Sequence, residues 1–237
     1  MSGPPATRVP RVKICGITRE EDAALACELG AHLIGFILWP RSPRAVSVNQ
    51  ARVVAAAVPP HVAKVGVFVD AGLEEMHHAV AEIGLDVVQL HGTEAPTLAR
   101  ALPFRIIKAM TVADAATGFG EWPASVLPLL DAIDPRARGG TGQRVDWAGA
   151  AALARTRPLL LSGGLSPENI GEAIDVVRPW GVDVASGVEA APGRKDPLRL
   201  RAFFTAVHRA VAAAPMADAT APARGPGWWP GPGEEDQ

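Results

Sequence analysis

The sequence lacks the features that mark several classes of protein. Its 237 residues include only two cysteines, Cys15 and Cys27, which are too few for a disulfide framework. No run of about 18 apolar residues occurs, and the first ten residues lack an apolar core, so neither a membrane span nor a signal peptide is predicted. A net charge of −2 offers no basic surface for nucleic acid or an anionic membrane. We therefore expect a soluble, cytoplasmic protein that binds neither.

Common cofactor and metal motifs are also missing. The patterns G-x-G-x-x-G and G-x-S-x-G do not occur, and no Lys-Ser or Lys-Thr pair follows the glycine-rich segment Gly139–Gly142, so it is not a Walker motif. The pair His77-His78 falls on a helical pattern without a typical set of metal ligands around it. We accordingly expect no metal ion.

Eight apolar segments that favour β-strands follow one another along the chain. They begin about 20 to 30 residues apart, which is too long for hairpins and leaves room for one helix between successive strands. Strands connected in this way pair in parallel. Eight such units predict a (β/α)8 barrel in one domain over residues 11–213, with an open doubly wound sheet as the alternative. The predicted strands are Val12–Cys15, Leu33–Leu38, Val62–Val69, Leu85–Leu90, Phe104–Met110, Val126–Leu130, Pro158–Leu161 and Val182–Ala185.

Capping residues support helices between these strands. A serine, threonine or aspartate in front of a helix can accept the free N–H groups of its first turn, and a proline fits the first helical position. A short, weak helix is predicted over Asp114–Gly118. The predicted caps are Thr18 (with Glu21), Ser47 (with Gln50), Asp146, Ser166 (before Pro167) and Asp196 (before Pro197).

The two ends of the chain differ from the rest in composition. Residues 1–10 read as a flexible arm. Residues 214–237 are rich in proline and glycine and end in an acidic cluster, which predicts a disordered tail. The pair Trp228-Trp229 within it is either a docking motif or an incidental feature of the tail.

Four polar residues fall at predicted strand ends or just beyond them, where barrels carry their chemistry. Cys15 closes the first strand, and Asp131 closes the sixth, where an unpaired carboxylate would be costly to bury. Arg44 lies in a proline-stiffened loop after the second strand and could grip a carboxylate with two parallel hydrogen bonds. His91 closes the fourth strand, a position that makes it a candidate for binding the substrate. A thiol and a carboxyl group can act as general base and acid, but each of the four also has an ordinary structural role open to it.

Glycines follow the last two predicted strands. Gly163-Gly164 comes after the seventh, and Ser186-Gly187 after the eighth. Without side chains, such residues let backbone N–H groups approach an anion closely, and a helix N-terminus adds a favourable dipole. Two glycine turns at adjacent strand ends therefore favour a phosphate site over plain tight turns. The long loop around Gly139–Gly142 could close over a ligand.

Several segments match, in order from about Val12 to His208, the motifs of one family. They are Val12–Thr18, Ser42–Arg44, Phe68–Asp70, Gln89–Gly92, Leu130-Asp131, Gly139–Gly142, Asp146-Trp147, Ser162–Leu165, Asp183–Glu189 and Pro192–Asp196. With these the chain resembles the phosphoribosylanthranilate isomerase family of tryptophan biosynthesis. The glycine motifs occur in many phosphate-binding barrels. The first segment, VKICGIT, combined with the sixth-strand carboxylate and the GGTG loop, is much more specific.

The resemblance implies a cofactor-free Amadori rearrangement, in which N-(5-phosphoribosyl)anthranilate becomes 1-(2-carboxyphenylamino)-1-deoxyribulose 5-phosphate. It assigns Cys15 as the general base and Asp131 as the general acid, and it places the anthranilate carboxylate on Arg44. The substrate partner would thus be a small phosphorylated aminosugar, bound by a monomer or a homodimer. A thiol of ordinary pKa would need a favourable electrostatic environment, such as helix dipoles, to act as a base near neutral pH.

One position departs from the family, and two other functions stay open. The chain has Ala185-Ser186 where the family commonly has two serines, so a hydroxyl contact is lost at Ala185 while a backbone N–H contact could remain. A related histidine-pathway isomerase, or a barrel serving both pathways, would be expected to have an aspartate in place of Cys15. The third possibility is a non-catalytic phosphate-binding barrel.

Overall fold

Eight parallel strands form the centre of the structure, a computed structural model that describes residues 9–132 and 145–213. The strands are β1 (Arg11–Cys15), β2 (Leu33–Ile37), β3 (Ala63–Phe68), β4 (Val87–Leu90), β5 (Arg105–Met110), β6 (Leu127–Leu130), β7 (Leu160–Leu161) and β8 (Gly181–Val184). Each strand pairs with the next in chain order, and β1 also pairs with β8, so the sheet is a closed barrel. The predicted (β/α)8 barrel is therefore confirmed, and the open sheet is wrong.

A helix follows each barrel strand, as the spacing of the apolar segments predicts. The helices are α1 (Glu20–Glu28), α2 (Val48–Ala55), α3 (Leu73–Ile83), α4 (Pro96–Ala101), α5 (Val112–Gly118), α6 (Trp147–Ala154), α7 (Ile170–Val177) and α8 (Pro197–Ala213). Between β8 and α8 the chain adds a two-stranded antiparallel hairpin, β9 (Glu189–Ala191) and β10 (Arg194–Lys195). Among the described residues, no helix combines the length and the apolar character that a membrane span requires.

The core has two layers that the alternation of side chains along the strands keeps separate. One layer lies between the barrel and the helices. The other fills the barrel interior and consists mainly of Leu33, Val65, Val87, Ile107, Ala109, Leu127, Leu129, Leu160 and Trp180. Because Lys13 stands beside both Leu33 and Asp183 in the sheet register, the side chains of Lys13 and Asp183 share the interior with these apolar groups.

Three of the predicted helix caps are confirmed. Ser47 and Gln50 form a complete capping box at α2. Asp146 accepts hydrogen bonds from the second and third residues of α6, and Asp196 accepts from Leu198 and Arg199 in the first turn of α8. The short helix predicted over Asp114–Gly118 also forms, as α5.

Two predicted caps are wrong, because the Thr18 side chain has a different partner and α7 begins later than predicted. The Thr18 hydroxyl donates to the carbonyl of Gly193 in the hairpin, and α1 begins two residues later without a side-chain cap. Ser166 and Pro167 form a turn ahead of α7, which begins only at Ile170. In that turn, the Asn169 side chain accepts the N–H of Ser166 and donates to the carbonyl of Gly164.

Some predictions fall outside the described residues, which exclude 1–8, 133–144 and 214–237. These predictions are most of the N-terminal arm, the Gly139–Gly142 loop, the C-terminal tail and the pair Trp228-Trp229. They stay predictions.

Candidate active site

Cys15 and Asp131 both lie at the carboxyl end of the barrel. Cys15 is the last residue of β1, and Asp131 follows β6 directly. Cys15 is two positions after Lys13, and Asp131 is two positions after Leu129, both of which face inward. Alternation therefore directs the thiol and the carboxyl group into the barrel mouth. Each residue is only 6% exposed, so both groups lie in a site that is largely closed to water.

The sulfur of Cys15 has charged neighbours on two sides. Burial raises the pKa of the Cys15 thiol above its ordinary value, and the carboxylate of Asp183 adds to that rise. The ammonium groups of Lys13 and Lys195 act in the opposite direction. The two lysines, which the sequence does not reveal as neighbours of the thiol, thus offset part of this rise.

Lys195 ties the end of β1 to the segment after β8. Its buried ammonium donates to the carbonyl oxygens of Cys15 (2.7 Å) and Ala185 (3.1 Å) and to a carboxylate oxygen of Glu189 (3.0 Å). These three acceptors match the three donors of an ammonium group. Lys195 therefore fixes the backbone that presents the Cys15 side chain.

Asp131 lies against His91 and one of the predicted phosphate loops. Oδ2 of Asp131 is 3.5 Å from Nε2 of His91, while Gln89 Nε2 is 2.9 Å from the other ring nitrogen. Nε2 is therefore the ring nitrogen that faces Asp131. A side chain added to Gly163 would lie 3.1 Å from Oδ1 of Asp131. The structure thus brings together Asp131, His91 and Gly163, which are predicted separately from the sequence.

Arg44 already grips a carboxylate of its own chain. Its Nε and Nη2 donate to both oxygens of Glu189 at 2.8 to 3.0 Å. Burial alone would raise the pKa of Glu189, but Arg44 and Lys195 hold it below its ordinary value. The side chain of Arg44 crosses Gly16, where an added Cβ would lie 2.7 Å from Arg44 Cδ. Arg44 thus makes a two-point contact with Glu189 of its own chain, and the predicted contact with a substrate carboxylate stays a prediction.

The two glycine turns are neighbours in space, as the adjacent positions of β7 and β8 require. Gly163 and Gly164 have φ values of +81° and +66°, which residues with side chains rarely adopt. Gly187 lies in a single helical turn over Ser186–Val188, and a Cβ there would be 1.9 Å from the carbonyl oxygen of Leu165. The close packing of the two loops explains why both need glycine.

Sequence reasoning left four charged residues of the site without a role, although two of them carry a recognisable signal. Lys13 and Asp183 interrupt apolar strands, where a charge is costly unless it is paired. Glu189 and Lys195 belong to segments that match the family, but their contacts depend on the hairpin. Within the described ranges, no cluster of three or more histidine, cysteine or acidic residues could hold a metal ion.

A closed barrel that directs a thiol, a carboxyl group and an imidazole into its carboxyl end defines the class: a (β/α)8-barrel enzyme whose candidate active site lies at that end. Comparison with known proteins identifies the family. The family model described as N-(5'-phosphoribosyl)anthranilate (PRA) isomerase matches residues 12–206. This chain belongs to that family.

Individual relatives agree over most of their length. The N-(5'-phosphoribosyl)anthranilate isomerase of Geobacter metallireducens is 45% identical over 195 residues, which is 82% of this chain and 96% of that protein. A crystal structure of monomers made from the dimeric phosphoribosylanthranilate isomerase of Thermotoga maritima has a TM-score of 0.74 at 38% identity, covering 84% of this chain and 99% of that one. A further structure of a phosphoribosylanthranilate isomerase, in complex with reduced 1-(o-carboxyphenylamino)-1-deoxyribulose 5-phosphate, has a TM-score of 0.73 at 39% identity, with coverage of 84% and 99%.

Proposed function

We propose that this chain catalyses the reaction for which its family is named, the Amadori rearrangement of N-(5-phosphoribosyl)anthranilate in tryptophan biosynthesis, with Asp131 as general acid and Cys15 as general base. The observation that carries the proposal is the inward orientation of both groups at one end of the same barrel, on strands that lie well apart around the ring. A substrate that spans the mouth would meet the acid on one side and the base on the other.

The first step is opening of the furanose ring. The carboxylic acid form of Asp131 donates its proton to the ring oxygen while the nitrogen lone pair of the substrate forms a Schiff base with C1. His91 lies beside the carboxyl group, and its Nε2 can hold the carboxylate that remains. This contact gives His91, which we predict to bind substrate, a second role beside the acid.

The second step is removal of the proton from C2. The Schiff base withdraws electrons from C1 and so acidifies the neighbouring carbon. The Cys15 thiolate takes that proton, and the resulting enamine tautomerises to the ketone. No electrons leave the substrate, since C1 is reduced as C2 is oxidised, and we propose that no cofactor or metal takes part.

Substrate orientation is assigned to the residues around the mouth. We propose that the backbone N–H groups of the turns at Gly163-Gly164 and Ser186-Gly187 bind the phosphate. Glu189 engages Nε and Nη2 of Arg44, which leaves the Nη1 donors to bind the anthranilate carboxylate. Holding the substrate at both ends would fix its register between acid and base, which is a major source of rate in such reactions.

The direct test measures the loss of phosphoribosylanthranilate fluorescence with purified protein and no added metal or cofactor. Cys15→Ala and Asp131→Asn should each reduce kcat by about 10²- to 10⁴-fold, because each removes a positioned proton-transfer group. Folding of each variant is checked by thermal unfolding.

Two matched controls use residues of the same type elsewhere. Cys27 is the other cysteine and packs on the helix layer, and Asp175 is exposed on α7. Cys27→Ala and Asp175→Asn should keep kcat within about twofold, since surface and peripheral changes alter little. If Cys15→Ala or Asp131→Asn retained most of the turnover, the assignment of acid and base would be wrong. Testing the histidine-pathway aminoaldose in parallel addresses the alternative substrate.

The assembly state and location are narrower proposals. The Thermotoga maritima relative is described as dimeric, which favours the homodimer over the monomer for this chain. Light scattering would give 24.7 kDa for a monomer and twice that mass for a homodimer. The cytoplasmic location stays a prediction.

A further inference from the structure

Lys13 is the most completely buried charged side chain of the barrel interior, and the proposed reaction does not use it. It is 0% exposed, and its Nζ donates to Oδ1 of Asp183 at 2.9 Å. The other carboxylate oxygen of Asp183 accepts from Ser162 at 3.3 Å. A buried ion pair of this kind is seldom worth more to stability than well-packed apolar side chains of the same volume. Its presence among leucines and valines therefore calls for a reason other than stability.

The position of Lys13 supplies that reason. Lys13 and Cys15 are two residues apart on the inner face of β1, and Gly35 of β2 lies beside them. A Cβ built on Gly35 would be 3.0 Å from the Cys15 sulfur and 3.2 Å from the Lys13 nitrogen. The absence of a side chain on Gly35 thus leaves one small space that the thiol and the ammonium group share.

The charges around the thiol come from three strands. Lys13 stands on β1, Asp183 on β8 and Lys195 on β10, while β2 contributes only Gly35. Burial lowers and Asp183 raises the pKa of Lys13, with the net result above its ordinary value, so the side chain is an ammonium ion at neutral pH. The three N–H donors of the Lys195 ammonium group are already bonded to two carbonyl groups and Glu189. The Lys13 ammonium donates to Asp183, which leaves it N–H donors that can face the sulfur.

We propose that Lys13 is a positioning residue for catalysis, whose ammonium group stabilises the thiolate of Cys15 and is itself held in place by Asp183. The inference rests on the proposed role of Cys15 as the base. The thiolate that removes the C2 proton thus forms beside a fixed cation rather than in an apolar interior, and it becomes a neutral thiol when it takes the proton. The low exposure of the site strengthens that interaction relative to water.

The test titrates the thiol itself, without substrate. Thiolate formation is followed by ultraviolet absorbance near 240 nm between pH 6 and pH 11, in a Cys27→Ser background so that Cys15 is the remaining cysteine. The chain has no tyrosine, so no phenolate absorbs over the same range. The Cys15→Ala protein serves as the blank.

Opposite shifts are expected when the two members of the ion pair are changed. Lys13→Met should raise the midpoint of the Cys15 titration by about 1 to 3 pH units, since a cation within a few ångströms shifts an acid by that amount. Asp183→Asn removes a negative neighbour and should lower the midpoint. If the pair had only a structural role, the two substitutions would not shift the Cys15 midpoint in opposite directions. The kcat profile of Lys13→Met should move to higher pH by the same interval.

Lys108→Met is the matched control, because Lys108 is also a buried, ion-paired strand lysine. Its Nζ donates to Glu94 (2.6 Å) and to the carbonyl of Gly92 (2.8 Å). Lys108 lies on the outer side of β5, between the inward-facing residues Ile107 and Ala109. This variant should leave the Cys15 midpoint within about 0.3 units, a small shift on the usual scale.

A folding failure of Lys13→Met does not end the test. The double variant Lys13→Met/Asp183→Asn leaves no unpaired buried charge, and its midpoint should lie above that of Asp183→Asn alone by at least about one unit. Equal midpoints in those two proteins, or an unchanged midpoint in Lys13→Met, would overturn the inference. Because the titration involves no turnover, this outcome is distinct from a failure of the isomerase assay.

Discussion

At the barrel mouth, charge and the available space determine which contacts each residue makes. Cys15, Asp131 and His91 can be picked out from the sequence, because polar side chains at the ends of apolar strands face the mouth of a parallel barrel. Their partners cannot, since the contact of His91 with Asp131 joins β4 to β6 and depends on how the barrel closes. The same holds for the pair of Arg44 with Glu189.

Gly163 provides a residue-scale prediction. An alanine there would adopt a φ of +81° and place its Cβ 2.6 Å from Val145 and 3.0 Å from the backbone nitrogen of Ala132. We expect Gly163→Ala to lose at least about 1 kcal/mol of unfolding free energy from the left-handed backbone alone. The KM for the phosphorylated substrate should also rise, because the proposed phosphate loop is displaced. Urea unfolding and initial-rate kinetics measure the two effects.

Gly171 is the matched control for that substitution. It lies within α7 and has no atom within 4 Å of an added Cβ. Gly171→Ala should therefore gain about 0.5 to 1 kcal/mol of stability, the usual advantage of alanine in a helix, with KM unchanged. An unaltered KM in Gly163→Ala would argue against a phosphate site in this loop.

At the scale of elements, local sequence decides most helices and tertiary contacts decide where some of them begin. Ser47, Asp146 and Asp196 cap helices as their spacing predicts. Thr18 does not cap α1, because its hydroxyl donates to the carbonyl of Gly193, far along the chain. The start of α7 is moved by Asn169, whose side chain bonds the turn that contains the proposed phosphate loop.

The capping box of α2 gives an element-scale prediction. The Ser47 side chain accepts the N–H of Gln50, and the Gln50 side chain bonds back to Ser47. Ser47→Ala should cost about 0.5 to 2 kcal/mol of unfolding free energy, measured by urea denaturation. Ser47→Asn keeps an acceptor at the cap and should retain most of the stability. Equal losses in both variants would show that the capping bond contributes little.

At the scale of the whole molecule, the two ends of the barrel have different tasks. The carboxyl end carries the candidate site. The other end carries His32, just before β2, whose Nδ1 accepts the backbone N–H of Val12 at 3.2 Å. Burial, with the nearby Arg11 and His61, lowers the pKa of His32 to about 4. This histidine is neutral in the folded protein and belongs to stability rather than to catalysis.

His32 leads to a prediction for acid sensitivity. Its pKa is about 6.5 in the unfolded chain and about 4 in the folded one, so between these values the unfolded state binds more protons. The contribution of His32 to the unfolding free energy is fully present above pH 6.5 and is lost as the pH falls to 4. The expected loss is about 3 kcal/mol between pH 7 and pH 4, which urea unfolding across this range would measure.

His32→Gln is the control, because glutamine can accept the Val12 N–H without titrating. Its unfolding free energy should fall much less between pH 6.5 and pH 4.5. Glu189, whose pKa is lowered, loses its contribution mainly below about pH 4.5, so this window separates the histidine from the carboxylates. A histidine-containing protein with a flat profile there would contradict the assignment.

Local pattern was enough to specify the eight strands, the intervening helices, most caps and the polar residues at the strand ends, because hydrophobic period, loop spacing and capping act over a few residues. Tertiary structure alone decided which charges meet. Lys13 finds Asp183 because β1 closes the barrel against β8, and Lys195 reaches the carbonyl of Cys15 because a hairpin folds back over the mouth. Electrostatic interactions depend on distance in space, so residues separated by most of the chain set the properties of the thiol.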